Sequence, residues 1–129
     1  MRFIKLMLMC PLVMLSIFGC GGKVQAGFVT ISAQEAKKIM DTETGYVIVD
    51  VRNQDEFDEV HIPGATLLPL PEIQANAEQV LKDKKQLILV HCRSGVRSKK
   101  AAQILVDLGY TNIKDFGGII DWPYEVVKK

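Results

Sequence analysis

The residues best suited to chemistry lie between His91 and Ser98, where the chain reads His-Cys-Arg-Ser-Gly-Val-Arg-Ser. Cys92 closes an apolar run, and Ser98 opens a stretch with helical spacing. A loop this short, opening onto a helix, points several backbone N–H groups at one centre. Such a concavity binds anions, helped by the positive end of the helix dipole. The same field stabilises a thiolate. Arg93 and Arg97 add positive charge that deprotonation does not remove. Together these residues describe a nucleophilic cysteine facing an anionic substrate, with Arg93, Ser94, Gly95, Val96, Arg97 and Ser98 as the binding loop. A lone cysteine is in general a small buried hydrophobe; the glycine and the two arginines that follow Cys92 favour chemistry here. His91 adjoins the thiol in sequence, but strand alternation turns it to the other face, where a packing or capping role is expected.

Loop length bears on the substrate. A cysteine phosphatase has five residues between its cysteine and its arginine. Here the sixth residue after Cys92 is Ser98, and Arg97 comes one place early. A shorter loop encloses a smaller target than a phosphate ester, which counts against phosphate or arsenate chemistry.

The elements around this loop follow from pattern. Phe28–Ile31 reads as a short strand, and Ser32 to Glu35 as a capping box that opens a helix. Tyr46–Val51 is a near-continuous apolar run rich in β-branched residues, the mark of a strand buried on both faces of a parallel sheet, and Gln86–His91 reads as a second buried strand. Asn53 caps a short acidic helix over Gln54–Val60. His61-Ile62-Pro63-Gly64 is a turn with a structural His61, and Thr66–Leu68 a brief strand. A helix from Pro71 to Leu81 should turn Ile73, Ala77, Val80 and Leu81 inward. Ser98–Leu108 is a helix, Ile113–Phe116 a strand, and a final helical piece lies near Trp122. Strands that alternate with helices predict an α/β fold with a mostly parallel sheet covered on both faces. Ligands of such sheets bind at the carboxyl ends of strands. Asp50 and Arg52 close the central strand and so stand near the site, most simply as an ion pair or turn cap. Trp122 either walls the site or joins the core, and Lys99-Lys100 reads as a solvated helix face.

With these elements in place, the chain resembles a single-domain rhodanese. The matching features are Asp50-Val51-Arg52 with Glu56-Phe57, His61-Ile62-Pro63-Gly64-Ala65, the Cys92–Arg97 loop, and Gly117-Gly118 followed by Trp122. Val60 stands where the family has glycine, and Pro123-Tyr124 follows Trp122 where it often has a small residue and glycine. The resemblance implies a three-layer rhodanese-like fold with helices on both faces. It implies a sulfurtransferase in which Cys92 takes a sulfane sulfur from thiosulfate, a polysulfide or a persulfide. A thiol or cyanide then removes it. Arg97 would steady the anionic donor or leaving group and Arg93 would draw donors in, with no metal or organic cofactor. A persulfide carrier with little turnover, or a partner-binding module, is the competing expectation.

Composition agrees with one ordinary domain. The 129 residues are 48% apolar and 24% charged, which excludes disorder, collagen-like repeats and a polytopic membrane protein. A net charge of +1 gives no electrostatic reason to expect nucleic acid. Three cysteines are too few for a disulfide framework. At the N-terminus, Arg2 and Lys5 precede an uncharged run from Leu6 to Gly22. That run is marginal for a membrane span, which needs about 20 apolar residues, and suits a signal peptide. Cleavage before Cys20, at a lipobox-like Phe18-Gly19-Cys20, would leave Cys20 lipidated. Bulky Phe18 departs from the usual small residue. Cleavage after Val24-Gln25-Ala26 would release a soluble protein, and an uncleaved anchor is the third reading. The first is favoured, because Cys20 closes the apolar run directly. The expected organisation is a leader over 1–19, lipidated Cys20 and a tether over 20–27, and the rhodanese-like domain over 28–129. Each reading places the domain in a bacterial cell envelope, membrane-anchored or periplasmic.

Overall fold

The computed structural model describes residues 23–25 and 27–129. The expected leader, Cys10 and Cys20 lie outside the described residues. In chain order the elements are β1 (Lys23–Gln25), β2 (Phe28–Thr30), α1 (Ala33–Thr42), β3 (Val47–Asp50), α2 (Gln54–Glu59), β4 (Val60–His61), β5 (Thr66–Leu67), α3 (Ile73–Val80), β6 (Ile88–Cys92), α4 (Val96–Asp107), β7 (Ile113–Gly118) and β8 (Val127–Lys128).

Strands β2, β7, β6, β3 and β5 form a parallel sheet in that order, with β1 added antiparallel at the β2 edge. The two apolar runs become its centre. β6 is buried along its whole length and pairs with β3 in a register that sets Asp50 opposite His91. Alternation then sorts the side chains. Val49, Val51, Ile88, Val90 and Cys92 join Ile73, Ala77 and Leu81 around α3, and Ala101, Ala102 and Leu105 from α4. Ile48, Leu89 and Phe116 face the other way, onto Ala36 of α1, Ile62 and Trp122. The expected three-layer α/β arrangement is therefore present. Leu105 is fully buried, and its truncation to Ala would cost about 2–5 kcal/mol.

The caps are local and explicit. Ser32 accepts the Glu35 N–H at 3.1 Å. At α2, Asn53 accepts the Glu56 N–H at 2.9 Å and Glu56 accepts the Asn53 N–H at 3.4 Å, a reciprocal capping box. Phe57 stacks on His61, ring centroids 4.1 Å apart, and fixes the turn that follows.

Several sequence expectations are corrected. Residues 23–25 are not part of a free tether; they lengthen the sheet as β1. The helix expected from Pro71 begins as a single 3₁₀ turn over Leu70–Glu72 and becomes α-helical at Ile73. Val80 is 45% exposed instead of inward, because α3 ends there and no longer constrains its face. α4 starts two residues earlier than Ser98, since Gly95 already turns the chain into it. The last helical piece is one 3₁₀ turn, Ile119–Asp121. β4 and β8 form a small second sheet, with His61 opposite Val127, that pins the C-terminal segment to α2.

Candidate active site

Cys92 is the last residue of β6, and its Sγ accepts the Gly95 N–H at 3.0 Å. Gly95 has φ +100° and is the N-cap of α4. Only glycine takes that conformation without strain. No side chain caps α4, so its first-turn N–H groups stay available for an anion. Ser98 does not present its hydroxyl to a substrate; it donates back to the Gly95 carbonyl at 3.1 Å and steadies the loop. Val96 is 61% exposed and offers the loop only its backbone.

The end of β7 is the seat of this loop. Ladder register slips between Val90 and Cys92, which brings Cys92 opposite Gly118. The backbones touch there: a Cβ on Gly118 would sit 2.0 Å from the Arg93 carbonyl oxygen and 2.6 Å from the Ser94 Cα. The Ile120 N–H donates to the same Arg93 oxygen at 3.2 Å. Buried Asp115 accepts the Gly117 N–H at 3.0 Å and lies 3.4 Å from the Lys99 ammonium. Lys99 is thus tied to the β7 side of the loop, beyond the solvated role expected for it.

At the end of β3, Asp50 and Arg52 form a buried ion pair. Arg52 donates to Asp50 from its backbone N, Nε and Nη2 at 2.8–3.1 Å, and from Nη2 to the Val60 carbonyl at 2.6 Å. Both carry almost no exposed surface. His91 lies on this face, away from the thiol. Its Nδ1 is 3.2 Å from the Cys92 carbonyl and its Nε2 3.6 Å from Asp50 Oδ2. Burial pulls its pKa below the usual 6.5, against the pull of Asp50. The ring packs 5.0 Å from Phe116, so His91 is a neutral packing group.

Arg97 is placed differently from expectation. Its guanidinium grips Glu56 through Nη1 at 2.6 Å and Nη2 at 2.9 Å. This fork lowers the Glu56 pKa and raises that of Arg97. Arg97 is therefore compensated from α2, whereas Arg93, beside the loop, forms no ion pair among the described residues. Of the two places expected for Trp122, a wall of the site or the core, the structure shows the core. It is buried with Phe116 and Tyr124 on the opposite face of the sheet, its indole N–H donating to the Glu125 carbonyl at 3.2 Å.

A cleft of about 390 Å³ opens beside the loop, lined by Arg52, Glu56, Glu59, Val60, Arg93, Ile119 and Ile120. Cys92 has no exposed surface and belongs to the buried cluster between the sheet and α3 and α4. Among the described residues no cluster of His, Cys, Asp and Glu could hold a metal ion. Sequence reasoning gave no site role to Glu56, Glu59 or Gly118. Glu56 was visible only in the Glu56-Phe57 pair, and nothing in spacing predicts that a residue 41 positions earlier grips Arg97.

A parallel sheet ending in a cysteine loop wrapped on a helix N-terminus defines a class that comparison makes explicit. The Rhodanese-like domain family matches residues 32–123, and the chain belongs to this family. Thiosulfate sulfurtransferase PspE of Escherichia coli is 32% identical over 80 residues, which is 62% of this chain and 77% of the relative. Thiosulfate sulfurtransferase GlpE of Coxiella burnetii is 38% identical over 77 residues, 59% of this chain and 70% of the relative. A solved structure described as rhodanese with anions from E. coli superposes with a TM-score of 0.61 at 31% identity. It covers 65% of this chain and 99% of that one.

Proposed function

We propose that the domain is a sulfurtransferase working through a Cys92 persulfide. The observation that carries this is the Gly95 N–H donated to Cys92 Sγ at the uncapped start of α4. That geometry stabilises a thiolate before reaction and an anionic terminal sulfur after it. In the first step the Cys92 thiolate attacks the outer sulfur of thiosulfate, a polysulfide or a persulfide. A new S–S bond forms, the donor's S–S bond breaks, and sulfite or a thiolate leaves with the electron pair. In the second step a thiolate or cyanide attacks the outer sulfur and Cys92 leaves as thiolate. Arg93 meets the incoming anion. Arg97, gripped by Glu56, holds the far end of the loop. The names of the two curated relatives support thiosulfate as one donor.

The test is Cys92→Ser. Loss of both the sulfur adduct seen by intact-mass spectrometry and thiosulfate:cyanide turnover is expected; retained turnover overturns the proposal. A stable adduct without turnover in the unmodified protein would mark a carrier.

The N-terminal residues support delivery to a bacterial cell envelope with Cys20 lipidated. Labelled fatty acid should enter the protein and be lost in Cys20→Ala; unchanged labelling refutes the anchor.

A further inference from the structure

The cleft beside the loop is built for more than a small inorganic anion. Its volume of about 390 Å³ lies in the range of sites for organic ligands. Four of its seven lining residues are charged, and two of these are already neutralised. Arg52 is paired with buried Asp50, and Glu56 with Arg97. That leaves Glu59 and Arg93, both exposed, and neither forms an ion pair among the described residues. The rest of the lining is apolar: Val60, Ile119 and Ile120, the last 63% exposed. The cleft thus offers one anion, one cation and an apolar floor, and the cation immediately follows Cys92 in the chain.

From this arrangement we infer that the cleft selects a zwitterionic thiol as sulfur acceptor, of the cysteine type, with its carboxylate on Arg93 and its ammonium on Glu59. The inference rests on the sulfur-transfer reading above. Both charges of such a body are met at once. A purely anionic thiol meets Arg93 but is repelled by Glu59, and a purely cationic one has the reverse difficulty. The acceptor enters as thiolate, its proton going to solvent, and attacks the outer sulfur of the Cys92 persulfide. The acceptor S–S bond forms, the Cys92 S–S bond breaks, and Cys92 leaves as thiolate. The transferred sulfur keeps its oxidation state, so no oxidant or reductant is required.

The experiment compares three acceptors that carry different charged groups: L-cysteine, cysteamine, which lacks the carboxylate, and 3-mercaptopropionate, which lacks the ammonium. Persulfide-loaded full-length protein is mixed with each, and kcat/KM is measured at low ionic strength for the unmodified protein and for Glu59→Lys. The readout is the ratio between acceptors within one protein, which cancels any general loss of activity or folded fraction. Charge reversal should shift the mercaptopropionate-to-cysteamine ratio upward by about fivefold or more, the size of exposed ion-pair effects taken twice. The shift should shrink as salt is added. An unchanged ratio overturns the inference while leaving sulfur transfer intact. No transfer to any acceptor, cyanide included, overturns the sulfur-transfer reading and this inference with it.

Discussion

Replacing Gly118 with alanine isolates the contact that seats the cysteine loop. Gly118 has φ −118° and ψ 148°, extended backbone that alanine adopts freely, so any effect is steric. The new methyl would meet the Arg93 oxygen at 2.0 Å, the Arg93 carbonyl carbon at 2.5 Å and the Ser94 Cα at 2.6 Å. All three are backbone atoms and cannot rotate away. Real Cβ contacts essentially never fall below 3.0 Å, so β7 and the loop must part by at least about 1 Å. Overpacking of this kind costs about 1–3 kcal/mol, or roughly 4–8 °C of melting temperature per kcal/mol in a domain near 100 residues. The displacement also reaches the Gly95 N–H on the sulfur, because Arg93 and Ser94 lie between them. A misplacement of about 1 Å at a reacting group can cost about 100-fold. Gly118→Ala should therefore melt about 4–24 °C lower and form the Cys92 persulfide about 100-fold more slowly at a temperature where it is folded. Gly45→Ala is the comparison. Gly45 has φ +79° and nothing within 4 Å, so it carries only the backbone penalty of about 1–2 kcal/mol and leaves the rate unchanged. Full activity in Gly118→Ala would refute the idea that this close approach positions the loop.

Arg52→Leu strands the fully buried Asp50 carboxylate and should lower the unfolding free energy by about 3–5 kcal/mol in denaturant titration. Glu56→Gln removes the anion that grips Arg97. The Glu56 pKa is lowered below its usual 4.5, so the pair stabilises the fold above that pH and fades as pH falls through the lowered value. The pair is partly exposed, so the gap between wild type and variant should be only about 0.5–1 kcal/mol at neutral pH and should close in acid melts. His91, with its pKa lowered below 6.5 by burial, should stay neutral by NMR as pH passes 6.5. Below that pH the unfolded chain binds a proton that the native state refuses. Stability should then fall by up to about 1.4 kcal/mol per pH unit until His91 itself titrates.

Local and continuous features were legible in the sequence. The apolar runs at β3 and β6 announced buried parallel strands, because both of their faces are largely apolar. Asn53 announced α2 through capping chemistry that acts within three residues. The Cys92 loop could be read because its donors and its thiol are neighbours in the chain. What escaped was short or remote. β4 and β8 are two residues each and lie far apart in sequence, so neither carries a period. The Glu56 grip on Arg97 spans 41 residues and depends on where the β3 carboxyl end delivers α2. Gly118 was visible only as half of the Gly117-Gly118 pair, since its need for a missing Cβ exists only once β7 lies against Arg93.

The antiparallel direction of β1 has a topographical consequence. Lys23 pairs with Thr30, at the carboxyl end of β2, so the chain enters the sheet at the end that carries Cys92. Three strand spacings, about 14 Å in all, separate β1 from β6. Anything joined to the N-terminal side of Lys23 is attached beside the mouth of the cysteine loop. A purification tag there would crowd that mouth. A lipid on Cys20, only three residues before Lys23, would make the bilayer surface its nearest neighbour.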